Sequence, residues 1–148
     1  MKRSDALEPL SHDHHAGLAL AARLRAAQRD AADPAPLAAE VVAFWHAHLV
    51  PHFRDEEAFV LPVLEGGAPG LAAQMLREHR EIRQLVRAVG AEPDAWDGPL
   101  GTVADVLAAH IRFEERQAFP AAERLAGDAL ADLGAQIRDA HTSRLPSP

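Results

Sequence analysis

Apolar residues recur every three or four positions in four separate stretches of the chain, each bounded by residues typical of turns. The first stretch runs from Leu10 to about Asp30, and the second stops at the glycines before Pro69. The third leads into a turn-rich segment at 90–99, and the fourth ends near Gly127. This spacing, kept over more than ten residues, predicts amphipathic α-helices rather than strands. The positions that mark the four stripes are Leu18, Ala21 and Leu24; Leu37, Val41, Phe44, Trp45, Phe59 and Val63; Leu71, Met75, Ile82, Val86 and Val89; and Val103, Val106, Leu107, Phe113, Ala118, Ala121 and Leu125.

Four amphipathic helices joined by short loops predict an all-α, up-down-up-down four-helix bundle. The expected arrangement is a single domain over residues 1–148, with its core at about residues 10–126. Pro51 interrupts the second stripe and is expected to kink that helix. A shorter amphipathic piece from Leu130 to Ile137 predicts an extra C-terminal helix, and residues 145–148 are expected to form a loose tail.

The chain of 148 residues has no cysteine, which excludes disulfides, thiolate metal sites and iron–sulfur clusters. Any bound metal must therefore take nitrogen and oxygen ligands. The formal net charge of −7 argues against nucleic acid or an anionic membrane as the main partner, because both favour a basic surface. No apolar run approaches the ~20 residues of a membrane span, and no signal peptide is evident, so a cytoplasmic protein is expected.

One six-residue motif occurs twice at matching places in the second and fourth helices. His-x-Arg-x-Glu-Glu begins at His52 and again at His110, and a proline follows ten residues after each histidine, at Pro62 and at Pro120. The repeat indicates that the two halves of the chain are related hairpins. Histidine and glutamate four residues apart lie on the same face of a helix, so their side chains can converge on one ion.

A single His-x-x-x-Glu pair is more often a solvated helix face or a hydrogen-bonded pair than a metal site. Two matched pairs on the core stripes of facing helices favour metal binding instead, because a buried carboxylate without a partner is costly. The first and third helices each add a histidine, His14 and His79, and each follows an acidic residue. Counting turns forward favours His14 over its neighbour His15.

On these residues the chain resembles the hemerythrin-like family, also called the His-His-Glu cation-binding domain, from about Leu10 to Leu125. The resemblance implies a four-helix bundle around a non-haem centre, usually of two irons. It further implies that the two glutamates bridge the metals and that the histidines fill terminal positions. The ligand positions that match are His14, His52, Glu56, His79, His110 and Glu114.

Two features depart from the oxygen-carrying members of that family. Arg83 stands where those proteins have a second histidine on the third helix, and Glu114 follows His110 by four residues where they have an aspartate five residues after the histidine. His48 lies one turn before His52 and is therefore a candidate for an additional ligand.

The remaining polar positions near the motifs are expected to play lesser parts. Glu57 and Glu115 are expected either to support a ligand or to face outward with the neighbouring arginines. His46 and His141 are expected to be surface or loop residues.

Imidazole and carboxylate ligands without thiolate suit iron, with zinc or manganese as alternatives. The sequence therefore predicts a metal-binding protein, with two iron ions favoured, that binds or senses dioxygen, nitric oxide, peroxide or iron. A di-iron oxidoreductase acting on peroxide or ferrous iron is the alternative. A structural bundle whose polar residues only pair with one another is a third interpretation. The chain has no tyrosine for radical chemistry, and this favours binding over catalysis.

Overall fold

The computed structural model describes residues 4–144, and this part of the chain contains helices and connecting turns but no strand. Four long helices and one shorter helix follow one another along the chain. The predicted all-α bundle with an extra C-terminal helix is therefore confirmed. The helices are α1 (Glu8–Arg29), α2 (34–67), α3 (Pro69–Ala91), α4 (100–126) and α5 (Leu130–Thr142).

Two of the long helices contain wider π-helical turns. In α2 these turns are Trp45–Leu49 and Glu56–Val60, and in α4 the turn is Glu114–Ala118. The kink predicted at Pro51 takes the form of the first of these turns, and the helix continues through it.

Local residues explain where the helices begin and end. Proline occupies the first turn of α2 and of α3, where its missing N–H costs no hydrogen bond. The carboxylate of Asp33 accepts a hydrogen bond from the backbone N–H of Ala35 and so caps α2. Gly127 ends α4 with a φ of 52°, a left-handed conformation that favours glycine.

The buried apolar side chains form two clusters, one toward each end of the bundle. The first cluster contains Leu24, Val86 and Val103, and the second contains Leu10, Leu64 and Met75. Helix α1 begins in the second cluster and ends in the first. Helix α2 runs the opposite way, and α3 and α4 repeat the alternation, as the up-down-up-down prediction requires. The polar residues predicted to bind metal lie between the two clusters in each helix.

Helix α5 packs against the second cluster through Leu133 and Ile137. Its C-terminal end reaches α2, where the guanidinium of Arg144 pairs with the carboxylate of Asp55. The tail predicted at residues 145–148 lies outside the described residues. No helix within residues 4–144 is long and apolar enough to cross a membrane.

Candidate metal centre

The structure brings together all six residues that the sequence singled out as ligands. Helices α1 and α3 contribute one histidine each, and α2 and α4 contribute one histidine and one glutamate each. Glu56 and Glu114 are fully buried, and the four histidine residues are at most 4 % exposed. We call these six residues the inner cluster: His14, His52, Glu56, His79, His110 and Glu114.

The two glutamates of the inner cluster lie between the four histidines. One oxygen of Glu56 is 2.9 Å from Nε2 of His52, and the other is 3.1 Å from Nε2 of His79. Glu114 is placed in the same way, with one oxygen 3.2 Å from Nε2 of His110 and the other 3.1 Å from Nε2 of His14. Each carboxylate thus connects a histidine of its own helix with a histidine of the other hairpin.

These contacts define two groups of four ligand atoms that share both glutamates. His14 and His52 belong to one group, and His79 and His110 belong to the other. Within each group the ligand atoms all lie within 4.8 Å of one another. Such a spacing allows the four atoms of a group to contact one ion.

The outward-facing ring nitrogen of every inner histidine contacts a further carboxylate. Nδ1 of His52 lies 3.1 Å from Asp13, and Nδ1 of His110 lies 2.8 Å from Glu78. We call the four residues of this second layer the outer carboxylates: Asp13, Glu57, Glu78 and Glu115.

The other two outer carboxylates join the two hairpins. Glu115 of α4 lies 2.7 Å from Nδ1 of His14 in α1, and Glu57 of α2 lies 2.8 Å from Nδ1 of His79 in α3. The hairpins α1–α2 and α3–α4 therefore contribute equivalent sets of five residues, which agrees with the relation between the hairpins that the repeated motif indicated. Glu57 and Glu115 support a histidine, which was one of the two roles expected for them.

Asp13 and Glu78 were not predicted to contact a histidine. The sequence signal for them was the acidic residue directly before His14 and before His79. That signal did not show that each carboxylate would contact the histidine of the neighbouring helix, His52 or His110, rather than the histidine beside it in the chain.

Several inner atoms lie close to one another without the geometry of a hydrogen bond. Among the described residues, the buried side-chain nitrogen and oxygen atoms without one include both oxygens of Glu56 and of Glu114 and Nε2 of His79 and of His110. Leaving such atoms unsatisfied in a dry interior is costly, so native structures rarely do so. Nitrogen and oxygen donors that converge without partners fit a metal ion as the group they serve.

The electrostatics of the inner cluster also depend on the close approach of the histidines and carboxylates. Burial lowers the pKa of a histidine, but the surrounding carboxylates outweigh it and raise the pKa of His14 to about 11, of His79 to about 10 and of His52 to about 9. Burial raises the pKa of Glu56, but the nearby histidines, His52 foremost, hold it well below its usual value. A bound metal would therefore compete with protons for the same nitrogen atoms.

The comparison with known families agrees with this geometry. The model of the hemerythrin HHE cation-binding domain matches residues 5–122. The chain belongs to this family. The HHE match covers the four long helices up to Ala122 and leaves α5 outside it. No curated protein and no solved structure matches the chain significantly.

Arg83, which was identified from the sequence as a departure from the oxygen-carrying members of the family, lies beside aromatic side chains next to the inner cluster. Its guanidinium carbon is 5.9 Å from the ring centroid of Trp45. Trp45 contacts Phe53 edge to face, and Phe53 stacks on His79 with the ring centroids 3.9 Å apart. The third helix therefore supplies one imidazole to the inner cluster of this HHE chain.

The other histidines lie outside both groups of ligand atoms. His12 and His15 are exposed, which agrees with the preference for His14 over His15. His48, the candidate additional ligand, is also exposed and stacks on Phe44. His141, expected to be a surface residue, is half-buried in α5, and its Nδ1 is 3.8 Å from Asp13.

Proposed function

We propose that this HHE protein is a non-haem di-iron protein that binds or senses a small ligand such as dioxygen, nitric oxide or peroxide. The observation that carries the proposal is the pair of four-atom groups that share Glu56 and Glu114, both fully buried. Nitrogen and oxygen donors without thiolate suit iron, and carboxylates shared between facing helices are an established way of holding two irons in a bundle.

Each proposed ion would receive two imidazoles and two shared carboxylates. A metal held by these residues would retain positions without a protein ligand, and a small ligand would bind there. Bound iron would supply reversible ligand binding and electron transfer. The inner atoms converge without the geometry of hydrogen bonds, which favours a metal over a purely structural role, because side chains that only paired with one another would be expected to form good hydrogen bonds.

The protein's own residues prepare the site in two ways. The outer carboxylates accept hydrogen bonds from the Nδ1–H groups, which fixes the rings and turns each Nε2 toward the centre. The apolar clusters above and below exclude water, and the ring of Phe119 lies against His14 with the centroids 5.4 Å apart. A dry, preset cluster of this kind would favour an uncharged diatomic ligand over ions in solution.

Anaerobic dialysis of the metal-free protein against Fe(II), followed by elemental analysis, tests the proposal. We expect about two irons per chain and near-ultraviolet charge-transfer absorption after exposure to air. Glu114→Ala should lose most of this iron because it removes a shared ligand, whereas His46→Ala, at an exposed position, should retain it. A well-folded wild-type protein that takes up no Fe(II) would contradict the proposal.

A further inference from the structure

Each His-x-Arg-x-Glu-Glu motif opens a π-helical turn at its first glutamate. The backbone N–H of Leu61 donates to the carbonyl of Glu56, five residues earlier. The N–H of Phe119 donates to the carbonyl of Glu114 in the same way. The two π turns therefore occupy equivalent positions in the two hairpins and begin at the two glutamates that the ligand groups share.

The proline that follows each motif accounts for the turn. A proline inside a helix has no N–H to donate, and its ring clashes with the carbonyl four residues earlier. Both problems are reduced when the preceding turn widens, because Pro62 and Pro120 then enter the first turn of a new α-helical segment. Pro51 follows the remaining π turn, Trp45–Leu49, at the same distance, which supports this cause.

The widened turn has a consequence for the glutamate pairs. In a regular α-helix, consecutive side chains do not face the same neighbour. A π turn holds more residues per turn, so consecutive side chains point in more similar directions. Glu56 lies 3.1 Å from Nε2 of His79, and Glu57 lies 2.8 Å from Nδ1 of the same ring. The two glutamates therefore contact both nitrogens of one imidazole in the other hairpin.

The second hairpin shows the same arrangement. Glu114 lies 3.1 Å from Nε2 of His14, and Glu115 lies 2.7 Å from Nδ1 of that ring. By contrast, Nδ1 of His52 contacts Asp13 and Nδ1 of His110 contacts Glu78. Both of these carboxylates lie in regular α-helix rather than in a π turn.

We propose that Pro62 and Pro120 are positioning residues for the centre. They maintain the π turns that direct each consecutive glutamate pair onto one histidine of the opposite hairpin. The consequence for metal affinity rests on the proposed function, whereas the consequence for the histidine rings does not require a metal.

The test removes one π turn while preserving the faces of the flanking helix. The variant combines Pro62→Ala with deletion of Ala58, an exposed residue inside the turn. Because a π turn holds one residue more than an α turn, the deletion lets α2 continue as a regular helix with Val60, Leu61 and Leu64 still facing the core. The matched control combines Pro51→Ala with deletion of Ala47, which does the same to the π turn that carries no glutamate.

Histidine-ring ¹⁵N NMR of the metal-free proteins is the primary measurement. We expect the hydrogen-bonded Nδ1–H signal of His79 to be lost in the Pro62 variant, whereas the corresponding signal of His110 persists. In the control both signals should persist. Persistence of the His79 signal in a folded Pro62 variant would overturn the proposal. If that variant does not fold, Pro120→Ala with deletion of Arg116 gives the equivalent measurement at His14.

Zn(II) affinity, measured by competition with a chelator, is the second readout. We expect at least a tenfold loss in the Pro62 variant and less than a twofold change in the control. If the wild-type protein binds no metal, the proposed function fails, but the NMR signals still decide whether the prolines position the histidines. A loss of affinity as large in the control as in the variant would show that the effect is not specific to the glutamate-bearing turn.

Discussion

Each inner histidine uses both ring nitrogens, and its outer partner determines which of them faces an ion. An ionised carboxylate can only accept a hydrogen bond, so the Nδ1 beside it must carry the proton. A neutral imidazole then has its lone pair on Nε2, and all four Nε2 atoms lie next to Glu56 or Glu114. The outer carboxylates therefore select the tautomer that can bind metal at the centre.

Glu78→Ala tests this role at one ring. The change leaves Nδ1 of His110 without its acceptor at 2.8 Å, and metal affinity should fall by about 10–100-fold, as is typical for partners of ligating histidines. Glu78→Gln should lose less, since the amide oxygen can still accept from Nδ1–H. Glu81→Ala, at an exposed position on the same helix, is the control and should bind metal like the wild type. Chelator competition measures all four proteins, and equal affinities would contradict the role of Glu78.

The positions of individual residues were predictable where one spacing rule governed them. His14 was preferred over His15 by counting turns, and His14 is the buried one. The same count placed Leu18 on the core face, but Leu18 is 41 % exposed. The buried stripe passes through Gly17 and Leu20 instead. Gly17 faces the closely packed helix α4, but a glycine does not stand out in a search for hydrophobic positions.

At the scale of elements, the π turns explain why the fully buried positions in α2 differ by one residue from the predicted stripe. Regular periodicity placed Phe59 and Val63 in the core after Glu56; both are half-buried and pack against the core, whereas their neighbours Val60 and Leu64 are fully buried. The turn Glu56–Val60 holds one residue more than an α-helical turn. Each later core-facing position of α2 therefore falls one residue further along the sequence than regular periodicity predicts. The turn Trp45–Leu49 likewise removes His48 from the face of His52. The sequence feature associated with these turns is a proline two residues after each of them, at Pro51, Pro62 and Pro120. A proline within a helix indicates a distortion but does not distinguish a kink from a π turn.

The packing of α1 against α4 gives a prediction about Gly17. A Cβ at this position would lie 3.0 Å from the Cδ1 of Ile111, so the branched side chain in Gly17→Val would overpack the interface. We expect a loss of about 1–3 kcal/mol in the free energy of unfolding, measured with urea. Gly70→Val is the control, because nothing lies within 4 Å of a Cβ there, and its effect should stay within about 0.5 kcal/mol. Similar losses in both variants would mean that α1 and α4 do not pack this closely.

At the scale of the whole molecule, the inner cluster and its outer carboxylates form contacts between the two hairpins. Glu56 and Glu57 of the first hairpin contact His79 of the second, and Glu114 and Glu115 of the second contact His14 of the first. Breaking the bundle into hairpins would therefore separate charged groups that are buried in the folded chain. The stability of the bundle should consequently depend on what neutralises these groups, which is either protons or a metal ion.

The sign of the pH dependence follows from the pKa values. His14, His79 and His52 have folded-state pKa values of about 11, 10 and 9, all above the value of ~6.5 for an unfolded histidine. Their protonation stabilises the metal-free fold fully below pH ~6.5, and that stabilisation is lost as the pH rises through the folded values. Glu56 has a lowered pKa, so its contribution is lost only in acid, below the value of ~4.3 for an unfolded glutamate.

We therefore expect the metal-free protein to lose stability steadily between pH 7 and pH 10. Metal binding requires neutral histidines, so the stabilisation that Zn(II) or Fe(II) adds should grow over the same range. Urea unfolding at a series of pH values, with chelator or with Zn(II), measures both curves. The expected gap between them is small near pH 6 and widens toward pH 9, with protons released on binding in a titration calorimeter. His15→Ala, which removes an exposed imidazole, should leave both curves unchanged. Parallel curves for the wild type would mean that protons and metal do not compete for His14, His52 and His79.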